Sequence, residues 1–350
     1  MQLAAFLIGV FVAMILLIRF IPIRKSGQLQ PWVFLIEPSL IFIGSLLASM
    51  NIIKIESSAP AFKIFLATAI TWIGISLGME FKWDMFRTFR GKNLSFSLIE
   101  SSGTFLVVLI VLKLLDFDSC CSVIAAAAAS TSHKIAPFVK GADQKALYSP
   151  FDWLIAALLV WVLVFKNNTI HGFLMPLIGI ALGLLYNFTF AMFRKRWTAF
   201  VFTLTFAGFL AFLASNLWIS PLLVGIFIGL TIENTSVDSK STMEIEKTLD
   251  AIIRPAYFWL LFVSGMIFVQ YFYEMVWLLF AYWAARAAVK LAMGNGDWVL
   301  LPQGWFTISI AAESFLRGNT SILPLVVFAV MLNNLLAFLF ASLPEIQQNA

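Results

Sequence analysis

The chain is short of the residues on which most soluble chemistry depends. Two histidines, His133 and His171, stand in 350 residues, too few for a histidine-based metal centre. The two cysteines, Cys120 and Cys121, are adjacent. Neighbouring cysteines rarely bridge each other and lack metal-ligand spacing, so neither a disulfide framework nor a thiolate site is expected. Charge is scarce too: 12% of residues are Asp, Glu, Lys or Arg, against about a quarter in an ordinary soluble domain. No nucleotide-binding glycine loop, metal motif or low-complexity tract appears. Nor is there a cluster of His, Asp and Ser of the kind an enzyme needs near an interface. The sequence therefore points away from an enzyme and implies no cofactor.

What the chain has in excess is apolar surface, with 61% of its residues hydrophobic. A soluble fold of this length could not hide so much, so its solvent is lipid. The 36 Phe and 12 Trp residues suit rings facing lipid and the membrane interfaces. The net charge of +5 then reflects Lys/Arg loops held on the cytoplasmic side, and no nucleic-acid partner is expected. The opening segment, MQLAAFLIGVFVAMILLIRF, lacks a basic n-region and a small-residue cleavage site, and reads as a retained spanning helix.

A ruler of about 20 apolar residues marks about thirteen candidate spans. They fall near 3–21, 32–52, 61–81, 94–115, 119–139, 146–166, 171–190, 198–215, 217–233, 249–270, 274–293, 298–316 and 321–343. With the N-terminus outside, the inner loops collect Arg19, Arg24 and Lys25; Lys82, Arg87, Arg90 and Lys92; Lys140 and Lys145; Arg194, Lys195 and Arg196; Lys240 and Lys247. The outer loops hold Lys54, Lys166 and Arg317, with Asp116 and Asp118. This alternation predicts the N-terminus outside, the C-terminus cytoplasmic and a multi-pass protein of the cell inner (plasma) membrane. The hydrophilic stretch near 233–248 reads as a loop joining two halves, about 30–166 and 198–343, of a single transmembrane domain over 1–350. No soluble regulatory domain is expected.

An ionisable side chain deep in a bilayer costs several kcal/mol, which makes it a functional candidate. Asp152 is the strongest. It sits roughly six residues inside its span, or roughly 9 Å along a helix axis. A carboxylate there must pair, bind a cation or hold a proton. The preceding span, SCCSVIAAAAASTSHKIAPFVK, runs five alanines into Ser130, Thr131 and Ser132, then His133, Lys134 and Pro137. Small residues permit close helix approach, and a polar cluster before a proline suggests a helix broken at membrane depth. The plainer alternative is a membrane-end cap with His133 and Lys134 facing the cytoplasm. Near 298–316, Pro302, Gln303 and Gly304 interrupt a second weak span. Two interrupted segments in corresponding positions of two halves point to a transporter site. Arg286 and Lys290 lie four apart and share a helix face; Arg286 is deep enough to need a partner, whereas Lys290 lies near a span end, where a lysine can snorkel. Arg254 and Pro255 read as the cytoplasmic entry of the tenth span. Glu37, Glu80, Glu100 and Glu313 lie in or at the edges of spans. Glu80 suits an interfacial salt bridge, and Glu100 and Glu313 suit partners of the basic residues.

These segments together resemble the cation:proton antiporter superfamily, the Na+/H+ exchanger-like membrane domain. WIGISLGMEFKWDMFR is similar to its F-x-x-G-L-E segment, and AAAAASTSHKIAPFV to its alanine-rich first unwound helix. The span carrying Asp152 resembles the helix that bears the essential aspartate. SNLWISPLLVGIFIGLTIEN, RPAYFWLLFVSGMIFV and QGWFTISIAA follow in the family's order. The resemblance implies an all-α inverted-repeat fold with two crossed discontinuous helices, with Na+ or K+ and protons as its partners, in a homodimer. It implies that Asp152 is the shared cation and proton carboxylate, with Ser130, Thr131 and Ser132 offering oxygens, and that Asp152 and Thr131 contact the cation. It implies that Arg286 stabilises the crossing or pairs with core acids, with Lys290, Glu313 and Glu80 as further charged partners. Two positions depart from the pattern: Phe151 stands where Asn, Asp or Gln is usual, and Gln303 where Arg is usual. With one carboxylate, electroneutral exchange is the simpler expectation. The alternatives are a sodium-coupled organic anion transporter of similar broken-helix fold and a transport-altered member of the antiporter family.

Overall fold

The computed structural model describes residues 33–50, 60–83, 91–131, 169–190, 196–217, 219–235, 239–272, 274–293 and 303–341, with Met192 and parts of 154–161. Among the described residues the regular structure is helical throughout. The helices are α1 (Val33–Ser49), α2 (Pro60–Met79), α3 (Gly91–Leu114), α4 (Ser119–Ser130), α5 (Thr169–Phe190), α6 (Arg196–Leu217), α7 (Pro221–Thr235), α8 (Ser239–Tyr271), α9 (Val276–Met293), α10 (Trp305–Leu316) and α11 (Ile322–Ala341). Five of their apolar runs are long enough to cross a membrane: Phe62–Met79, Gly172–Phe190, Lys247–Tyr271, Val276–Met293 and Ile322–Leu339. The chain is a multi-pass membrane protein. The expected spans near 3–21 and most of 146–166 lie outside the described residues.

The stretch expected to be a loop near 233–248 is different. Helix α7 runs to Thr235 and α8 begins at Ser239, so Arg254 and Pro255 lie well inside α8. A ruler that counts apolar residues misses the polar start of such a helix. Its signal is the 3.6-residue period: Ile245, Leu249, Ile252 and Ile253 are all buried.

The chain forms two compact units. One holds α2, α5, α6, α7 and the N-terminal part of α8 to Leu260. Its centre is the pairing of α2 with α7, where glycines let two backbones touch. A Cβ at Gly74 would lie 2.5 Å from the Leu222 carbonyl oxygen, and one at Gly225 would lie 2.6 Å from that of Thr71. A Cβ at Gly229 would collide with the Ile75 carbonyl and lie 2.8 Å from the Met79 nitrogen. The seam is pinned at one end by Lys82–Glu233 at 2.9 Å and by Asn234, which donates to Phe81 O at 2.9 Å and accepts from Trp83 N at 3.0 Å. Tyr186 donates to or accepts from Thr203 at 2.7 Å within a cluster of Phe190, Phe202 and Phe206.

Because backbone cannot move aside as a side chain can, Gly229→Ala is expected to destabilise the protein by about 1–3 kcal/mol through overpacking. Gly208→Ala is the control, since nothing lies within 4 Å of its added Cβ; it is expected to be neutral or to stabilise by about 0.5–1 kcal/mol, because alanine suits a helix better than glycine. Thermal denaturation in detergent distinguishes the two.

The other unit holds α1, α3, α4, the remainder of α8, α9, α10 and α11. Here α1 meets α8 through Gly44 and Gly265, each of whose absent Cβ leaves room for backbone of the other helix, and Ser45 Oγ donates to Gly265 O at 2.9 Å. The short helix α4 packs against α3, α10 and α11.

Candidate ion-transport site

The site is organised by the two ends of α4. At its start, the Asp118 carboxylate accepts from the backbone N–H groups of Cys120 and Cys121, each at 3.0 Å. Hydrogen bonds from Cys121 hold the Asp118 carboxyl below its ordinary pKa, as an N-cap acid at a positive helix end should be. Five alanines follow, Ala125 to Ala129, none of them exposed. Lacking bulk, they bring the α4 backbone against its neighbours.

The helix stops at Ser130, and Thr131 is extended, with φ −85° and ψ 149°. A helix end leaves its last carbonyls without intrahelical donors, and in a dry interior each must find a partner. Here every one does. Ser130 Oγ donates to Ala127 O at 2.8 Å, and Thr131 Oγ1 to Ala128 O at 3.0 Å. Arg286 spans the end as a fork, with Nε donating to Ala129 O and Nη2 to Thr131 O, both at 3.0 Å. Lys290 Nζ donates to Ser130 O at 2.8 Å. Two cations thus sit at the negative end of the helix dipole, where positive charge is most favoured.

Both cations come from one face of α9, and both are fully buried. Tyr282, one turn before Arg286 on the same face, donates to Ala125 O at 3.3 Å. Lys290 does not snorkel. It forms a buried ion pair with Glu100 of α3. The helix end that the sequence places nearby is close along the axis of α9, but sideways the residue is walled in by α3 and α4.

Helix α10 starts beside this end. Thr307 and Thr131 hydroxyls are in hydrogen-bond contact, and Thr307 Oγ1 also reaches Ala128 O at 3.4 Å. Gln303 Nε2 lies 3.5 Å from Ala128 O, and its oxygen accepts from Asn333 Nδ2 at 3.4 Å. Asn333 Oδ1 in turn accepts from Trp283 Nε1 at 3.1 Å. Asn334 Nδ2 donates to Glu37 Oε2 at 2.6 Å.

Of the residues singled out from sequence, Ser130, Thr131, Arg286 and Lys290 come together at the end of α4. Glu313 lies on α10 and pairs with Arg317 at 2.9 Å. Glu80 sits at the end of α2, in the other unit. Asp152 and Ser132 lie outside the described residues. Thr307, Tyr282, Trp283, Asn333 and Asn334 were not anticipated. The asparagines had a signal: two amides in the apolar run MLNNLLAFLF carry much the same desolvation problem as a charge. Among the described residues no three His, Cys, Asp or Glu side chains cluster as a metal centre would require.

No family model matches the chain, and no characterised protein matches it by sequence. Its backbone is similar to that of the sodium proton antiporter MjNhaP1 from Methanocaldococcus jannaschii at pH 8, with a TM-score of 0.64. The match covers 97% of this chain and 96% of that one, at 13% identity. The chain has a sodium/proton antiporter-like fold. Within that antiporter-like fold, side-chain roles rest on this chain's own residues, because so low an identity carries backbone and little else.

Proposed function

We propose that the protein is a secondary active transporter that exchanges a monovalent cation, Na+ or K+, for protons, with Asp152 as the shared binding carboxylate. The observation that carries the reading is the pair of buried cations, Arg286 and Lys290, holding the carbonyl end of a helix that stops among buried residues. Unwound backbone at membrane depth is tolerated where it lines an ion path. Glu100 matches the charge of Lys290; Arg286 adds a positive field that favours an ionised carboxylate nearby, while burial favours the protonated form. An acid set between those two influences can release its proton when a cation arrives and regain it when the cation leaves. One such carboxylate gives one-for-one, electroneutral exchange. Ser130, Thr131 and Ser132 complete the proposed site with hydroxyl or backbone oxygens, and Asp152 and Thr131 contact the cation. Lys290 and Glu313 act as charged partners of this site, and Glu80 as a charged partner within its own unit.

In this reading, α4 and α10 are the outer halves of two crossed discontinuous helices. They belong to about thirteen spans arranged as inverted halves, about 30–166 and 198–343. The N-terminus lies outside, the C-terminus is cytoplasmic, the membrane is the cell inner membrane and the assembly is a homodimer.

The test is cation-driven proton movement in proteoliposomes, read with a pH dye under Na+, K+ and Li+ pulses. Asp152→Asn is expected to abolish the signal while the protein still inserts; an unchanged signal would overturn the proposal. The positive charge at the α4 end also suits an organic anion carried with sodium. Uptake of a labelled anion without a cation-dependent pH change is the result that would favour that second reading.

A further inference from the structure

Helix α10 carries a polar stripe of which the proposed exchange site calls only on Glu313, as a charged partner. Ser309, Glu313 and Arg317 follow one another at four-residue spacing, so they share one face, and its deep member, Ser309, lies roughly opposite Thr307 on the helical wheel. Their burial falls steadily away from the α4 end: Ser309 is 0% exposed, the Glu313 side chain 7% and the Arg317 side chain 35%. From Thr307 to Arg317 the helix rises roughly 15 Å, about half the thickness of a bilayer's hydrocarbon core.

Ser309 is the unusual member. Its hydroxyl is buried and makes no hydrogen bond. A helical Ser or Thr easily satisfies its hydroxyl on the carbonyl four residues back. In this protein Thr68, Thr71, Thr104, Thr189, Thr205, Thr231 and Thr235 all do so. Ser309 forgoes that bond. Ser264 Oγ is also without a partner, but its helical neighbours Leu260, Leu261, Ile267 and Phe268 are apolar and it belongs to no stripe. An i,i+4 ion pair at a helix end is by itself commonplace. That explains Arg317 but not a carboxylate buried beneath it, nor an unsatisfied hydroxyl one turn deeper.

We infer that the Ser309–Glu313–Arg317 face of α10 is one leg of the transport route. The travelling cation or proton, with its water, moves along it; Ser309 supplies an oxygen at its inner end, and the Arg317–Glu313 pair closes its mouth. In the structure this leg is shut, which accounts for the burial of Ser309. The inference rests on the exchange reading for what travels, but the route is testable without any transport.

The experiment uses the full chain with Cys120→Ser and Cys121→Ala, in sealed vesicles, and a small membrane-impermeant methanethiosulfonate applied to one side at a time. Arg317→Cys marks the side on which the stripe opens. Ser309→Cys is expected to react from that side only, roughly tenfold faster than Ile310→Cys, a buried position off the stripe, where a thiol shut off from water forms little thiolate. Glu313→Gln added to Ser309→Cys is expected to speed the reaction by releasing Arg317. Reaction of Ser309→Cys as slow as that of Ile310→Cys, or from the opposite side, overturns the route. If Ser309→Cys fails to insert, Glu313→Cys is judged by the same criterion. Loss of proton exchange with this labelling pattern intact counts against the exchange reading alone; the reverse counts against the route alone.

Discussion

Glu100→Gln with Lys290 retained is expected to destabilise the protein by about 3–5 kcal/mol, the usual cost of leaving one member of a buried ion pair alone. Both side chains are almost wholly buried. Gln cannot neutralise the ammonium, and the Lys290 side chain is shut off from solvent. The same substitution beside a snorkelling lysine would cost about 0–1 kcal/mol, as for any surface pair, so the measurement decides between the two environments. The double variant Glu100→Gln, Lys290→Met is expected to recover much of the loss, because an apolar replacement removes the stranded charge. It will not recover all of it, since Ser130 O then loses its donor and an unsatisfied buried carbonyl costs about 1–3 kcal/mol. Thermal unfolding of the two single variants and the double completes a mutant cycle. A double variant no more stable than Glu100→Gln would show that the two charges are not coupled.

The pair also shows what a sequence can and cannot convey. The spacing of Arg286 and Lys290 put them on one face of one helix, and they are there. The run of alanines into Ser130 and Thr131 suggests a helix break, and α4 stops at Ser130, which is buried. What the spacing did not convey was lateral environment. Lys290 lies one turn from the end of α9, and depth along a helix says nothing about which helices stand beside it; that depends on α3 bringing Glu100 across from a distant part of the chain. The start of α8 is hidden from such a reading for a related reason. Its first turns bury only one stripe, at Ile245 and Leu249, and a count of apolar residues is blind to a stripe. Thr307 carries no signal of its own, because a threonine in a helix is ordinary until a second hydroxyl, Thr131, arrives from the end of α4.

Arg286→Ala is expected to have the larger effect on transport. The guanidinium fork satisfies two carbonyls that α4 itself cannot, Ala129 O and Thr131 O. Removing it leaves both unpaired in a dry interior, at roughly 1–3 kcal/mol each, and withdraws positive charge from the negative end of the helix. Cation-driven proton flux is expected to fall more than about tenfold, since even 1.4 kcal/mol in the position of the α4 end is a tenfold population shift. Arg286→Lys separates the two contributions. Lysine keeps the charge but offers a single ammonium on a flexible stem, which cannot reproduce two donors held in a rigid plane. If the charge dominates, the lysine variant retains most of the flux; if the fork dominates, it loses as much as the alanine variant and unfolds at a lower temperature than the native protein. Native flux and native stability in both variants would remove Arg286 from the mechanism, and the α4 end would have to be held by the remaining contacts of Lys290, Thr307 and Gln303.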